Sequence, residues 1–414
     1  MPDEKFDLRN CCHVNTNEDG DRFVGVKADQ NSAVVYFPLG YDLPEDDRLL
    51  RRDIRTLFSI LAAFGSKEDR VLKGDKFVEA HPVDFPIIAY LDVLDYFMEN
   101  NGRYYTETEK LYKTDTKGKI DWRRTTKRQK VFIKDGQPIY TKFDVEYQSP
   151  LDNALITKIH QYCVYESYTR LGWLYTSQRL PKPELRLEEG NKRIFIQELQ
   201  KKYNHTNKDR DKRLFKSMKV MIEFIDDRVL NKQFYFGTDN FETIWEKLID
   251  KMFGIPNKED YFPRAVWVER HGHNKGIETH ALMPDTIMIY NNKIYILDAK
   301  YYRYGDTHNP ANLPESTSIN KQITYGEYIK NIFKPDNNSL FNAFLMPYNM
   351  NKNLFDTNSK IVNVSESYGK WRNNLEKYEK IQGILIDIRY MIHNYIGNHD
   401  EDKALLVEEI EKYL

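Results

Sequence analysis

The 414-residue chain is poor in cysteine, glycine and proline and has almost no net charge. Its three cysteines, Cys11, Cys12 and Cys163, are odd in number and follow no framework spacing. That usage excludes a disulfide-stapled secreted scaffold and favours a reducing cytoplasm. Nineteen glycines and 16 prolines fall below their usual combined share of ~12%, so no long flexible linker is expected. The most apolar run, Phe58 to Phe64, holds seven residues, against the ~20 that a membrane-spanning helix needs. The N-terminus lacks a basic start followed by an apolar run, so no signal peptide is expected. There is no Gly-x-Ser-x-Gly elbow to carry a serine nucleophile, and no Walker-type phosphate loop. The chain does not power a motor of its own.

Lys plus Arg come to 62 and Asp plus Glu to 63, for a net charge of −1. This balance excludes a uniformly basic nucleic-acid coat and an acidic disordered protein. It conceals two basic islands, 117–134 and 192–219, each summing to +7. In the first, Lys119, Arg123, Arg124, Lys127 and Arg128 are candidate phosphate contacts, through the counterion release that dominates nucleic-acid affinity. The competing reading of each island is a solvated surface. Twenty-nine Tyr, 22 Phe and five Trp speak for well-filled cores and stacking surfaces.

Length suggests two or three domains. Residues 23–37 read as a hairpin, and 47–64 and 86–99 as helices; 103–142 reads as polar extended segments with turns. Helical spacing returns over 151–180 and 194–231. From 241 the expected order is helix 241–253, strands 264–270, 285–290 and 294–300, helix 316–333, strand 340–346, helix 366–378 and strand 381–390. Strands interleaved with helices predict an α/β sheet covered on both faces. The expected organisation is an N-terminal α/β domain over 1–150, connecting helices over 151–232 and a C-terminal domain over 233–414.

The sharpest feature lies at 284–300. Two asparagines, Asn291 and Asn292, separate two apolar runs and suit a two-residue turn with positive φ. That turn pairs Tyr290 with Lys293, Ile287 with Ile296, and Asp285 with Asp298. Opposed residues share one side of a hairpin with Cβ atoms ~5 Å apart, and Lys300 lies on the side of Asp298 by strand alternation. Two buried carboxylates that close repel one another, and a divalent cation between them removes the objection. Oxygen-only ligation suits Mg²⁺, which keeps waters and takes substrate phosphate oxygens. Lys300 is placed to orient or deprotonate a water, or to hold a phosphate oxygen. An ordinary strand-end ion pair of Asp298 with Lys300 is the competing reading.

Pro284-Asp285, twelve intervening residues, and Asp298-Ala299-Lys300 resemble the signature of the PD-(D/E)xK nuclease superfamily. The text Ile296-Leu-Asp-Ala-Lys-Tyr-Tyr302, with Leu313-Pro-Glu-Ser316 and Ile319-Asn-Lys-Gln-Ile-Thr-Tyr325, resembles more narrowly the LlaJI-type restriction endonucleases, relatives of the McrC nuclease subunit. Phe23-Val24-Gly25, Phe37-Pro-Leu-Gly-Tyr41, Gly118-Lys-Ile-Asp-Trp-Arg-Arg-Thr125 and Phe344-Leu-Met-Pro-Tyr348 extend the likeness over most of the chain.

The resemblance implies a restriction-endonuclease-like mixed sheet flanked by helices at the C-terminus. It implies Mg²⁺-dependent hydrolysis of double-stranded DNA leaving 5′-phosphates, with Mn²⁺ able to substitute. Asp285 and Asp298 would be the metal-binding acids and Lys300 the catalytic lysine. Gln322 would support the site or contact DNA, although the related Gln-x₃-Tyr pattern is broken here: Gly326 stands four residues on, and Tyr325, only three on, is expected to pack. Glu242, Glu246 and Glu269 are candidates for a further acid. Glu242 also completes a capping box with Asp239, a purely structural role. An McrB-like AAA+ GTPase is the implied partner, with a dimer or two visits needed for a double-strand break. The alternatives are a self-sufficient sequence-specific endonuclease and a non-catalytic partner that stimulates a motor. His271, His273 and His280 lack a fourth ligand at zinc spacing, and Cys11-Cys12-His13 is too tightly adjacent for a zinc knuckle.

Overall fold

The computed structural model describes residues 7–28, 33–64, 86–175, 180–225, 234–268, 270–271, 276–278, 281–335, 339–352, 354–369 and 378–413. The chain divides into two units, Met1–Asp84 with Lys232–Leu414, and Phe85–Asn231. Among the described residues no helix is long and apolar enough to cross a membrane.

The N-terminal segment contributes β1 (Cys12–Val14), β2 (Val24–Ala28), β3 (Ala33–Phe37) and α1 (Asp47–Phe64) to the first unit. The expected hairpin is β2 with β3, and the expected helix is α1, whose Ile54, Leu57, Phe58 and Leu61 are buried. The other edge of β2 pairs antiparallel with a strand at Phe234–Thr238. Gly25 makes that approach possible. Its φ is +144°, and a Cβ there would stand 2.1 Å from the Phe236 carbonyl oxygen. This pairing ties the N-terminal segment to the chain from 232 onward; the second unit ends at Asn231, at the expected boundary near 232, but begins at Phe85 and spans the boundary expected near 150. A strand partner so remote in sequence leaves no trace in local periodicity.

The second unit begins with α2 (Ile87–Glu99). It continues through β4 (Thr108–Asp115), β5 (Lys119–Ile120), α3 (Trp122–Arg128), β6 (Val131–Lys134), β7 (Gln137–Tyr140) and β8 (Phe143–Pro150). It ends with α4 (Leu155–Leu171), α5 (Glu189–His205) and α6 (Asp209–Phe224). β8 pairs antiparallel with β4 and β5, while β6 and β7 form their own hairpin. The expected extended segment thus also contains a helix, α3. Asp121 caps it by accepting the Arg124 N–H at 3.0 Å. Of the helical stretch expected over 194–231, residues 226–231 lie outside the described set and the rest is two helices, because Thr206, Asn207 and Lys208 break it and α6 folds back on α5. Tyr90, Ile159, Leu214 and Met218 are among its buried residues.

The first unit resumes with β9 (Phe234–Thr238), α7 (Phe241–Phe253), β10 (Val266–Trp267), β11 (Ile277–Glu278), β12 (Thr286–Tyr290) and β13 (Lys293–Ala299). After these come α8 (Tyr304–Thr307), α9 (Ser316–Phe333), β14 (Leu340–Tyr348), β15 (Ile361–Gly369), β16 (Tyr378–Asp387), α10 (Ile388–Asn394) and α11 (Asp400–Glu411). The main sheet has the order β12-β13-β14-β16-β15. β13, β14 and β16 run parallel, and β12 and β15 run antiparallel to their neighbours, so the sheet is mixed within an α/β chain. α9 supplies the crossover that parallel β13 and β14 require. The helix expected at 366–378 is not formed over 366–369, which belong to β15; residues 370–377 lie outside the described set. Ile361, Val362 and Val364 are β-branched and favour the strand. The strand expected to end at 390 stops at Asp387, whose side chain caps α10 by accepting the Tyr390 N–H at 2.7 Å. Of the strand expected over 264–270, Val266–Trp267 forms β10, and residue 269 lies outside the described set.

Candidate active site

Asn291 and Asn292 turn the hairpin with φ of 49° and 61°. Such positive values are tolerated by asparagine and match the right-handed twist of the strands. Pairing runs Tyr290↔Lys293, Ile289↔Ile294, Met288↔Tyr295, Ile287↔Ile296 and Thr286↔Leu297, the register expected from the sequence. Ile287 and Ile296 are fully buried in a cluster with Tyr325 and Ile329. Burying such side chains contributes about 1.5–3 kcal/mol each, and slipping the register by one residue would turn them to the opposite face of the sheet and break this packing. The burial of the strands therefore fixes where Asp285 and Asp298 stand.

Both carboxylates come to the same end of the hairpin. Asp298 is buried and its Oδ2 lies 2.5 Å from Lys300 Nζ. Asp285 Oδ2 accepts the Ala299 N–H at 2.9 Å, bridging the hairpin's open end. The Lys300 N–H donates to the Leu345 carbonyl at 2.9 Å, and buried Trp245 of α7 donates its Nε1–H to the same oxygen at 3.1 Å. The strand end that bears the lysine is thereby anchored to β14 and α7. Burial, then the charges of Asp298 and Glu246, push the Asp285 carboxyl up to about 7, with Lys300 and the Ala299 N–H opposing.

The two glutamates of α7 separate clearly. Glu242 is exposed. Its expected capping box with Asp239 does not form, because the helix starts one residue later, with Asn240 as N-cap and no side-chain cap bond. Glu246, one turn on, is half-buried. Burial raises its carboxyl above the usual range, with Asp298 and Glu242 adding to the rise and Lys300 and Lys321 opposing it. Glu246 is thus the helix acid electrostatically joined to Asp285 and Asp298. Glu269 lies outside the described residues.

Gln322 is 1% exposed and donates from Nε2 to the Ile296 carbonyl at 2.9 Å. It supports β13 from α9, and its burial rules out a direct contact to DNA in this conformation. Tyr325 packs, as expected, and donates its hydroxyl to the Met283 carbonyl at 3.1 Å. The sequence reading missed Asp250 and Lys258, which approach the start of β12. Only the fold brings them there.

The donor set at the hairpin's end is all oxygen. Among the described residues no three His, Cys, Asp or Glu side chains form a ready-made cage. Mg²⁺ does not need one, since it binds through one or two carboxylates and keeps several waters. A half-buried carboxyl, raised by burial and then by neighbouring carboxylates, is the electrostatic conflict that a divalent cation relieves. The residues present therefore fit a hard divalent ion. For zinc, His271 is exposed, and His273 and His280 lie outside the described residues.

The candidate phosphate contacts belong to the second unit. Lys119 is exposed and pairs with Glu146 at 3.3 Å. The guanidinium of Arg124 lies 3.8 Å from the centre of the Tyr112 ring. Arg123, Lys127 and Arg128 are exposed on α3, next to an exposed Trp122.

No curated protein matches the chain. A chain in a solved structure from Thermococcus gammatolerans is similar at 14% identity and a TM-score of 0.36, over 94% of this chain and 83% of that one. That structure is described as a refined half-complex from a tetradecameric assembly of McrB AAA+ hexamers with bound McrC. Residues 23–364, carrying the hairpin, both α7 glutamates and Gln322, match the LlaJI restriction endonuclease family, and the chain belongs to that family.

Proposed function

We propose that the chain is a Mg²⁺-dependent DNA endonuclease of a restriction system, with a PD-(D/E)xK site on a restriction-endonuclease-like sheet. The observation that carries this reading is the meeting of Asp285, Asp298 and Lys300 at one end of a buried hairpin. Asp285 and Asp298 would hold the cation, with Glu246 as the third acid. A divalent ion there supplies charge stabilisation to the transition state of phosphodiester hydrolysis. Lys300 orients the attacking water or holds a non-bridging phosphate oxygen. The water oxygen bonds to phosphorus and the P–O3′ bond breaks. The water gives up a proton and the 3′ oxygen gains one, leaving 5′-phosphate and 3′-hydroxyl ends. Gln322 keeps β13, and hence Asp298, in place through the Ile296 carbonyl.

An McrB-like AAA+ GTPase would supply target search and translocation. Two features support this part: the resemblance to McrC relatives, and a sequence without a Walker-type phosphate loop. The exposed Arg123, Lys127 and Arg128 beside Trp122 favour a second reading, in which the chain grips DNA itself. Incubating purified protein with plasmid and Mg²⁺, with and without a candidate GTPase partner and GTP, separates the two. Cleavage that requires partner and GTP supports the subunit; equal cleavage by the chain alone supports the self-sufficient enzyme.

A further inference from the structure

Asp285 immediately precedes β12, the edge strand of the main sheet, which has a sheet neighbour on one side only. Its outer side is held by the segment that follows α7. The Ile255 N–H donates to the Ile287 carbonyl at 2.9 Å. Lys258 Nζ donates to the Asp285 carbonyl at 2.5 Å and pairs with Asp250 Oδ1 at 2.8 Å. Thr286 Oγ1 donates to the same Asp250 oxygen at 3.2 Å. Three consecutive residues, 285 to 287, are thus bonded to one short stretch, 250 to 258. Asn257, in the left-handed conformation at φ 63°, starts the short 3₁₀ turn that presents Lys258 to the strand.

Asp250 lies four residues after Glu246, on the same face of α7. The brace therefore fixes the helix that carries Glu246 against the residue that carries the Asp285 carboxylate. We infer that Lys258 is a positioning residue for the metal site. Through Asp250 and the main chain of Asp285 it sets the separation of Glu246 from Asp285, and with it the affinity for the divalent cation. Lys258 acts on geometry: it donates to the backbone carbonyl of Asp285 and not to the carboxylate. The inference rests on the metal-nuclease reading proposed above.

The test uses the full chain and three readouts: Mn²⁺ binding by calorimetry, the Mg²⁺ half-saturation of plasmid cleavage with the GTPase partner and GTP present, and the metal-free Tm. Lys258→Met is expected to weaken Mn²⁺ binding and raise the Mg²⁺ half-saturation by about 10- to 100-fold, the range for groups that orient metal ligands. Cleavage at saturating Mg²⁺ should fall much less, and Lys258→Arg should restore most of the affinity. Asp250→Asn, which removes the ion pair and keeps the side chain's shape, should move the same two quantities in the same direction. A lower Tm with unchanged Mn²⁺ affinity and Mg²⁺ half-saturation, in either variant, makes the brace merely structural and overturns the inference. If wild type neither binds Mn²⁺ nor cleaves, the nuclease reading fails and takes the inference with it. If wild type does both and Lys258→Met matches it, only the inference fails.

Discussion

Asp285 shows best how a single residue ties site chemistry to stability. Its carboxyl, ordinarily at 3.8, sits at about 7 in the folded chain. A carboxyl raised on folding makes the folded state bind more protons than the unfolded one. Its favourable contribution is complete at low pH and is lost as pH climbs from about 4 to about 7. In the absence of metal, Asp285→Asn should therefore raise Tm at pH 7.5 relative to wild type, with the advantage shrinking toward pH 4. Equal Tm values for the two proteins at every pH would contradict the assignment. That Asp285, Asp298 and Lys300 meet at one end of the hairpin was legible because Pro-Asp and Asp-x-Lys fall at matched positions across a two-residue turn. The choice between Glu242 and Glu246 was not, since both lie on α7 and only packing buries one of them. Lys258 was illegible for a related reason: its target is a backbone carbonyl 27 residues away.

At the scale of elements, local pattern was a good guide wherever a face is buried against a neighbour. α7 and α9 occupy the expected 241–253 and 316–333, and the β12–β13 register follows from alternation plus the Asn-Asn turn. Local pattern failed where the strand partner supplies the order. The helix expected over 366–378 overlaps the last four residues of β15, whose mixed text Glu366-Ser367-Tyr368-Gly369 carries no strong period; pairing with β16 makes them strand. The hairpin's burial has a measurable consequence. Ile287→Ala should cost about 2–5 kcal/mol in urea unfolding, as buried large-to-small changes do. Ile289→Ala, at a position 40% exposed on the same strand, should cost clearly less. Equal costs at the two sites would mean that the burial of Ile287 does not stabilise the hairpin.

At the scale of the whole molecule, the near-neutral charge concealed two basic islands and the cluster of Asp285, Asp298 and Lys300, and the linear order of the chain concealed how its segments associate. The β2–β9 pairing knits the N-terminal segment to the C-terminal one. So do the Asp53 carboxylate, held by Arg389 at 2.8 Å and His393 at 2.9 Å, and the Leu39 N–H donating to the Tyr301 hydroxyl at 2.6 Å. A fragment of residues 233–414 lacks all of these partners. It should be insoluble or unfold without cooperativity, whereas full-length protein melts cooperatively; a soluble, cooperatively folding fragment would contradict the two-segment unit. The central claim is that Asp285, Asp298 and Lys300 form a metal-dependent phosphodiesterase site. Its most direct test is plasmid cleavage by full-length wild type and Asp298→Ala, in Mg²⁺ and in EDTA, with the GTPase partner and GTP present in parallel reactions. The account predicts nicked or linear DNA from wild type in Mg²⁺ alone or with the partner, none in EDTA, and none from Asp298→Ala under any condition. Cleavage by Asp298→Ala at the wild-type rate, or wild-type cleavage undiminished in EDTA, would contradict it.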